Sequence, residues 1–388
     1  MHERATGRRS KRVLIGIVAV ALAVGLLAAP AVAKSSSAKS SSKQPPIKHV
    51  FVINLENKAF DETWGAASKA PYLAQTLKAQ GLFLDQYFGV AHVSLPNYIA
   101  QISGQGPSKG TQADCIAAYS EFVQTGTGTD GQVLGDGCVY PASVKTLPDQ
   151  LTAKKLTWKG YMEDMASPCL HPEIGQKDPY VGASANGAYA TRHNPFVYFH
   201  SITDSPDCAK NDVPLTQFET DLASIKTTAN YNMITPNVCN DAHDETCPNG
   251  QLGGLEAANV WLQTWVPKIT SSPAFKKDGL LIITFDEAEL GEGDNAAACC
   301  NQPQAPNVAQ AGLLGPGGGH IGALLLSPYV KAASTNSTPY NHYALLCSIE
   351  NLFGLQKLGY AGMSGLQCFD STVYNNPKGT TKVNAAAS

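Results

Sequence analysis

The chain has 388 residues, of which 43% are hydrophobic and 15% are charged, so it is long enough to bury one large core or two modest ones. Its formal net charge of −3 disfavours nucleic acid as a partner, because proteins that neutralise phosphates along a nucleic-acid backbone need an excess of Lys and Arg. We therefore expect a globular protein that does not bind nucleic acid.

The first segment, residues 1–33, is predicted to be a secretory signal peptide. Five Lys or Arg side chains precede an uncharged run over residues 13–29, and Ala31-Val32-Ala33 provides a small-residue cleavage site. A retained membrane anchor is the alternative, but the run is short for a span and contains two glycines. Removal of this segment takes away the five basic side chains and one Glu, which changes the net charge from −3 to −7. The mature protein is therefore expected to be secreted, with no transmembrane span after processing.

The rest of the chain is predicted to form one catalytic domain between two unstructured segments. Residues 34–46 are rich in Ser, Lys and Ala and predict a flexible linker, and residues 374–388 predict a disordered tail. The domain covers residues 47–373. Within it, residues 105–145 are rich in Gly and Thr without clear periodicity, which indicates a long excursion that is a candidate lid.

Buried strands alternate with helices along this domain. Apolar runs predict strands at 49–55, 82–87, 156–162, 196–199, 231–235, 279–285 and 323–326. Helical patterns cover 71–80, 147–155, 215–226, 252–269 and 340–353. This alternation predicts an α/β fold, a three-layer sandwich with a mainly parallel central sheet covered on both faces.

Ten cysteines in an exported protein predict disulfides. Structural zinc is the competing interpretation, but the sequence contains no C-x-x-C pair. The sequence does not determine the pairing. Proximity along the chain favours Cys115 with Cys138 and Cys239 with Cys247.

Ser94 is the candidate nucleophile. It precedes an apolar run that can form a helix with Pro96 in its first turn, where the missing N–H of proline costs nothing. Ser94 would then lie at a helix N-terminus, where free N–H groups and the helix dipole favour an alkoxide and attract phosphate. An ordinary turn with a serine cap is the alternative, and it would be preferred if this segment stood alone.

Polar residues follow two of the predicted buried strands. Glu56 and Asn57 come after the first strand, and Asp286 and Glu287 come after the strand at 279–285. In an open α/β sheet, ligands bind beyond the carboxyl ends of the strands. Three carboxylates and one amide form an oxygen-rich set suited to a hard divalent cation. Each pair alone could be a helix cap or a solvated loop, but the two pairs together with Ser94 favour a metal site.

Three histidines are candidate substrate-binding residues. His193 precedes a short apolar run and His243 follows another, and an imidazolium there could hold a phosphate oxygen or protonate a leaving group. His320 lies in a glycine-rich turn that could admit a ligand to the backbone, although a plain flexible turn is an equal alternative.

Seven segments, in this order along residues 48–360, together resemble the phosphoesterase family of secreted acid phosphatases and bacterial phospholipases C, a branch of the alkaline phosphatase superfamily. The segments are HVFVINLENKAFDETWG, SLPNYIAQISG, RHNPFVYF, ITPNVCNDAHD, LIITFDEAE, GGHIGALLLSPYV and YNHYALLCSIENLFGL. The chain looks most like the short branch with secreted acid phosphatases and phosphatidylinositol-3-phosphatases. The resemblance implies an alkaline phosphatase-like fold.

The resemblance also implies roles for single residues. The family's metal ligands match Glu56, Asn57, Ser94, Asp286 and Glu287, and Ser94 also matches its nucleophile. The phosphate-contacting positions match His193, His243 and Asn97, and His320 resembles a histidine that binds a second metal in alkaline phosphatases. Other ligands for a second metal are not clearly present.

The function implied is a phosphomonoesterase that forms a phosphoserine and uses one divalent cation, with Mg, Ca, Mn and Zn not distinguished. The expected partner is a phosphate monoester, either a small molecule or a lipid head group. A phospholipase C acting on diesters is the alternative, but only about thirty residues follow Leu355, too few for the further domains of longer phospholipases C. A secreted binding module without catalysis is the third interpretation.

Overall fold

The structure is a computed structural model that describes residues 44–185 and 187–383. The predicted signal peptide, residues 34–43 of the predicted linker and residues 384–388 of the predicted tail lie outside the described residues. No helix among the described residues is long and apolar enough to cross a membrane.

The elements follow the predicted alternation. The strands are β1 His49–Leu55, β2 Leu82–Leu84, β3 Tyr87–Phe88, β4 Val123–Thr127, β5 Val133–Asp136, β6 Trp158–Met162, β7 Asp212–Pro214, β8 Tyr231–Thr235, β9 Gly279–Phe285, β10 Ala323–Leu326, β11 Ser334–Asn336 and β12 Tyr340–Asn341. The α-helices are α1 Phe60–Trp64, α2 Ser94–Ser103, α3 Leu147–Ala153, α4 His200–Thr203, α5 Asp207–Asn211, α6 Phe218–Asp221, α7 Gly254–Ser271, α8 Pro273–Asp278 and α9 His342–Phe353. The predicted helix at 71–80 is a π-helical turn, Tyr72–Leu77, followed by a 3-10 turn, Lys78–Gln80.

Eight strands form the central sheet in the order β11-β2-β10-β9-β1-β8-β6-β7. Strand β10 runs antiparallel to both of its neighbours, and the other neighbouring pairs are parallel. Every residue of β1 and β9, the two strands near the middle, is buried. Strands can be buried on both faces only when both faces of the sheet are covered, as in the predicted three-layer sandwich. The predicted α/β class with a mainly parallel sheet is confirmed.

Two short segments differ from the predicted elements. The apolar run at 196–199 was predicted to be a strand, but Pro195–Tyr198 is a 3-10 turn in which the Asn194 side chain accepts a hydrogen bond from the N–H of Phe196. The ring of Phe196 stacks on Trp158 at 5.0 Å, so the run is buried without pairing in the sheet. Of the helix predicted at 215–226, only Phe218–Asp221 is α-helical. Short apolar runs carry too little periodicity to distinguish a turn from a strand.

The tail that was predicted to be disordered is packed over residues 374–383. Tyr374 is buried in the main core, and the side-chain amide of Asn376 donates to the carbonyl of Pro328 at 2.8 Å. Thr381 donates its N–H to the same carbonyl at 3.2 Å. The small polar residues of this segment predicted disorder, although Tyr374 anchors the segment in the core.

The excursion at 105–145 is an ordered part of the fold. It contains the β4–β5 hairpin and is closed by the disulfide between Cys115 and Cys138. This pair and Cys239–Cys247 confirm the two pairings favoured by proximity. The other disulfides are Cys169–Cys208, Cys299–Cys300 and Cys347–Cys368.

Candidate active site

The sheet register brings two of the predicted carboxylates together. Strands β1 and β9 pair in parallel with Leu55 opposite Phe285, so the residues that follow, Glu56 and Asp286, leave the sheet side by side. Both carboxylates are fully buried. The prediction that these strand ends meet follows from the carboxyl-end rule for parallel sheets, and the structure agrees with it.

Asn57 joins the two carboxylates. Its backbone is left-handed, with φ 52°, a conformation that Asn tolerates better than most residues, and this turns its side chain back over the strand end. The terminal amide lies 2.8 Å from Glu56 Oε2 and 3.1 Å from Asp286 Oδ1. With its nitrogen facing them, the amide donates to both carboxylates; with its oxygen facing them, it completes a cluster of three oxygens. The second arrangement is a ligand set for a hard divalent cation.

Ser94 lies at the start of α2, as predicted. Val93 precedes the helix in an extended conformation and Gly104 ends it in a left-handed conformation. The Ser94 hydroxyl donates to Glu56 Oε2 at 2.8 Å, and its side chain is buried. The structure therefore joins the candidate nucleophile to the candidate metal ligands through one carboxylate oxygen.

In this structure the side chain of Asn97 contacts backbone, and its predicted contact with a phosphate oxygen stays a prediction. Its Oδ1 accepts from the N–H groups of Val90 and Ala91 at 2.8 and 3.1 Å, and its Nδ2 donates to the carbonyls of Ala91 and Val93 at 2.9 and 3.0 Å. Both ends of the amide are thus occupied by backbone. Asn97 fixes the segment that leads into Ser94.

His193 lies between two buried carboxylates. Its Nε2 is 3.3 Å from Glu56 Oε2 and its Nδ1 is 3.2 Å from Asp241 Oδ2, and the ring stacks on Tyr98 at 5.4 Å. Neither ring nitrogen has a partner in hydrogen-bonding geometry among the described residues. Burial, and then the nearby charge of Arg192, lowers the pKa of His193 well below its usual value, so the ring is neutral.

Glu56, His193 and Asp241 form a buried group that could hold a metal ion, because one ligand atom from each lies within 4.8 Å of the others. Asp241 was not predicted as a site residue. It follows β8, the neighbour of β1 on the other side, and its backbone carbonyl accepts from the N–H of Glu56 at 2.7 Å. Its place in the sequence, two residues before His243, was the available signal.

The second predicted histidine, His243, lies beside a buried arginine. Its Nε2 is 3.2 Å from a terminal nitrogen of Arg192 and its Nδ1 is 2.7 Å from Asp244 Oδ1. The His243 side chain is 30% exposed, whereas His193 is buried, and the two rings lie 5.9 Å apart. His243 is thus the more solvent-accessible of the two histidines. Arg192, which precedes His193 in the sequence, was missed as a site residue.

Glu287 contacts His92 instead of the Glu56 and Asp286 pair. Its Oε2 meets His92 Nδ1, and the other ring nitrogen of His92 lies 2.6 Å from the carbonyl of Asn295. The carbonyl of Asp286 is in turn contacted by Nε2 of His342, the first residue of α9. These two histidines hold the strand end in place, and the role of Glu287 as a metal ligand stays a prediction.

The structure does not bring His320 to this group. Its ring stacks between Phe60 and Phe88, at 4.1 and 4.8 Å, and its Nε2 lies 2.6 Å from the carbonyl of Asp85. The histidine therefore packs two aromatic residues against the loop after β2. These contacts include none of the residues described above, and the phosphate or second-metal role of His320 stays a prediction.

The electrostatics of the site favour a cation. Burial raises the pKa of Glu56 well above its usual value, and the neighbouring Asp286 raises it further. Burial also raises the pKa of Asp286, and the nearby Glu287 raises it further. Burial and the nearby Glu56 raise the pKa of Asp241 in the same way. One oxygen of each of these two aspartates lacks a hydrogen-bond partner among the described residues. Carboxylates in this state need a proton or a positive ion, so the donor set fits a divalent cation.

The chain is similar in sequence to known proteins. The Phosphoesterase family matches residues 66–356, a range that contains Ser94, both site histidines and Asp286. The phosphate-repressible acid phosphatase of Penicillium chrysogenum is 28% identical over 90% of this chain and 73% of its own length. The acid phosphatase of Aspergillus fumigatus is 26% identical over 84% of this chain, which spans only 60% of that relative. The phosphatidylinositol-3-phosphatase of Mycobacterium tuberculosis is 24% identical over 88% of both chains.

Among solved structures, a protein in the alkaline phosphatase superfamily from Vibrio parahaemolyticus is 13% identical, with a TM-score of 0.47 over 81% of this chain and 70% of that one. The names of the sequence relatives agree with the predicted class of phosphoric ester hydrolases. The family match covers well over half of the sequence and confirms the resemblance found in its motifs. The chain belongs to the Phosphoesterase family.

Proposed function

We propose that the protein is a divalent cation-dependent phosphomonoesterase that works through a phosphoserine at Ser94. The observation that carries this proposal is the hydrogen bond of 2.8 Å from the Ser94 hydroxyl to Glu56 Oε2, at the N-terminus of α2. A hydroxyl in this position has an acceptor for its proton and a helix dipole that favours the resulting alkoxide.

Glu56, Asn57 and Asp286 would hold the cation, with the amide oxygen of Asn57 turned towards the two carboxylates, which are fully buried. When bound, the cation would supply positive charge that lowers the pKa of the Ser94 hydroxyl and offsets the negative charge of the phosphoryl group. The group formed by Glu56, His193 and Asp241 offers nitrogen as well as oxygen, which suits zinc better than calcium.

In the first step, Ser94 Oγ gives its proton to Glu56 and attacks phosphorus, while the bond from phosphorus to the substrate alcohol breaks on the opposite side. His243, which is more exposed than His193, would protonate the departing alcohol oxygen from Nε2 once the Arg192 nitrogen that faces Nε2 turns to the phosphoryl group, while Asp244 holds the ring through Nδ1. Arg192 supplies a fixed positive charge beside it. Water then attacks phosphorus from the side the alcohol left and gives a proton back to His243. The bond from phosphorus to Ser94 Oγ breaks, Glu56 returns the proton to Oγ, and inorganic phosphate is released.

The substrate is proposed to be a monoester, including small soluble phosphates and monophosphorylated lipid head groups. A monoester dianion presents three unsubstituted oxygens, and the site offers donors and positive charge for them in Arg192, His243 and the cation. A diester has one fewer such oxygen and needs apolar room for its second substituent.

A direct comparison of two model substrates tests whether the protein prefers monoesters to diesters. Hydrolysis of p-nitrophenyl phosphate should exceed that of bis(p-nitrophenyl) phosphate by a wide margin. The Ser94→Ala variant should keep its fold and lose several orders of magnitude in kcat, because a single hydroxyl contributes little to stability. Acid quenching during turnover should trap phosphate on Ser94. Faster cleavage of the diester, or release of phosphocholine from phosphatidylcholine at a comparable rate, would favour a phospholipase C. An inactive protein without bound metal would favour the binding module.

The protein is also proposed to be secreted. Four disulfides that join separated cysteines support this, because such bonds persist in oxidising compartments. Edman sequencing of exported protein should begin near Lys34; a start at Met1 would contradict signal-peptide cleavage.

A further inference from the structure

Asp114 occupies the N-terminus of α2. Its Oδ1 accepts a hydrogen bond of 3.0 Å from the N–H of Leu95, the residue after Ser94, and its Oδ2 lies 3.5 Å from Nε of Arg192. The Asp114 residue is 8% exposed. It comes from the excursion at 105–145 and is followed directly by Cys115, whose disulfide with Cys138 fixes this part of the loop.

The groups that hold Asp114 are those that a phosphoryl group would use. A free N–H in the first turn of a helix and a guanidinium are both donors that bind phosphate, and their hydrogen bonds to an anion are stronger than neutral ones. A phosphoryl group attacked by Ser94 would meet the first-turn N–H groups of α2, and the N–H of Leu95 is one of them. In this structure the carboxylate of Asp114 already contacts both that N–H and Arg192.

We propose that Asp114 is a specificity-determining residue, a carboxylate of the chain that competes with phosphate for the N–H of Leu95 and for Arg192. This inference rests on the proposed function, because it concerns the same Ser94 site. The competition weakens the binding of inorganic phosphate, the product, which buried positive charge would otherwise retain. An incoming phosphoryl group binds these donors only if it displaces the carboxylate of Asp114. If the carboxylate stays in place, it repels the phosphoryl group.

A purely structural role for Asp114 predicts the opposite result. If the carboxylate only orients Arg192 through the ion pair, its removal leaves the guanidinium in several positions and phosphate binds more weakly. If it competes, loss of its negative charge weakens its hold on both donors, and phosphate binds more tightly. The direction of the change in phosphate affinity therefore separates the two roles.

The test compares Asp114→Asn with Asp130→Asn. Both aspartates lie in the same excursion and both have left-handed backbones, with φ 51° and 53°, which Asn tolerates equally well. Each substitution removes one negative charge, but Asp130 lies in the exposed turn between β4 and β5. The control therefore reproduces the change in net charge without the change at the helix N-terminus.

Binding of inorganic phosphate to the cation-loaded protein is measured by isothermal titration calorimetry at pH 7.5. We expect Asp114→Asn to bind phosphate roughly tenfold more tightly than wild type, since one competing charge-assisted contact is removed, and Asp130→Asn to match wild type. The inhibition constant of phosphate should fall by the same factor. Asp114→Ser, which keeps a hydroxyl acceptor for Leu95, should shift affinity in the same direction and replaces Asp114→Asn if that variant does not fold.

Weaker or unchanged phosphate binding in folded Asp114→Asn would overturn the inference and leave the proposed function standing. A failure of wild type and all variants to bind phosphate would overturn the proposed function as well.

Discussion

Replacing Asp286 by Asn tests whether the carboxylates at the ends of β1 and β9 hold a divalent cation. The substitution keeps the volume and the acceptor for the N–H of Asn57, which lies 3.2 Å from Asp286 Oδ1. It removes one of two buried carboxylates that face the same amide and repel each other. The change should therefore abolish cation binding, and it should not destabilise the cation-free protein.

The expected size of the effect follows from ligand linkage. A cation present at a hundredfold excess over its dissociation constant stabilises the folded state by about 2.7 kcal/mol. The described part of the chain has roughly 340 residues, and the average unfolding entropy per residue gives such a protein about 0.7 kcal/mol per kelvin. Wild type should therefore gain about 4 °C in Tm when the cation binds.

The assay is differential scanning calorimetry after chelation, repeated with Mg, Ca, Mn and Zn in turn. Elemental analysis of the dialysed protein gives the bound metal directly. Glu289→Gln is the matched control, because Glu289 follows the same strand but its side chain is exposed. The control should show the wild-type gain in Tm, whereas Asp286→Asn should show none and should melt no lower than cation-free wild type.

Full metal content and the wild-type gain in Tm for Asp286→Asn would refute the assignment of Asp286 as a ligand. A wild-type protein that none of the four cations stabilises would refute the cation site as a whole.

Two further predictions concern Asn97 and Asp114. Asn97→Ala removes four hydrogen bonds, three of them buried, that hold residues 90–93, so it should cost about 3 to 4 kcal/mol of stability at roughly 1 kcal/mol each. Urea unfolding measures that cost, and wild-type stability in this variant would show that the segment before Ser94 does not depend on the amide. Burial raises the pKa of Asp114 to about 6 against the opposing charges of Arg192 and His243, so below pH 6 this carboxyl gains a proton and no longer competes as an anion. The measurement is the phosphate dissociation constant of wild type divided by that of Asp114→Asn, because this ratio cancels the ionisation of phosphate itself. The ratio should fall towards one as the pH decreases from 7.5 to 5. A ratio independent of pH would contradict this.

The sequence was sufficient to predict the sheet and one side of the site because both depend on local patterns. Continuous apolar runs mark β1 and β9, and in a parallel sheet the residues after such runs must meet at one edge. Glu56 and Asp286 were therefore predictable as a pair. Ser94 was predictable as the start of a helix because Pro96 limits where that helix can begin.

The other side of the site depends on contacts that no local pattern encodes. Asp114 lies in an excursion without periodicity, and only the folded chain shows that its carboxylate reaches α2. Asn97 and His320 were assigned by residue type at a matching position. Residue type does not show that the amide of Asn97 is occupied by backbone or that the ring of His320 is stacked between two phenylalanines.

Glu56 connects the two halves of the site through one atom. Its Oε2 has three close neighbours: the Ser94 hydroxyl at 2.8 Å, the end of Asn57 at 2.8 Å and Nε2 of His193 at 3.3 Å. A carboxylate oxygen has two lone-pair positions, so it cannot serve all three neighbours at once. A cation bound beside Asn57 would use one of these positions and leave Ser94 and His193 to share the other. In the proposed mechanism that position receives the serine proton, so cation binding and activation of the nucleophile would both depend on Glu56.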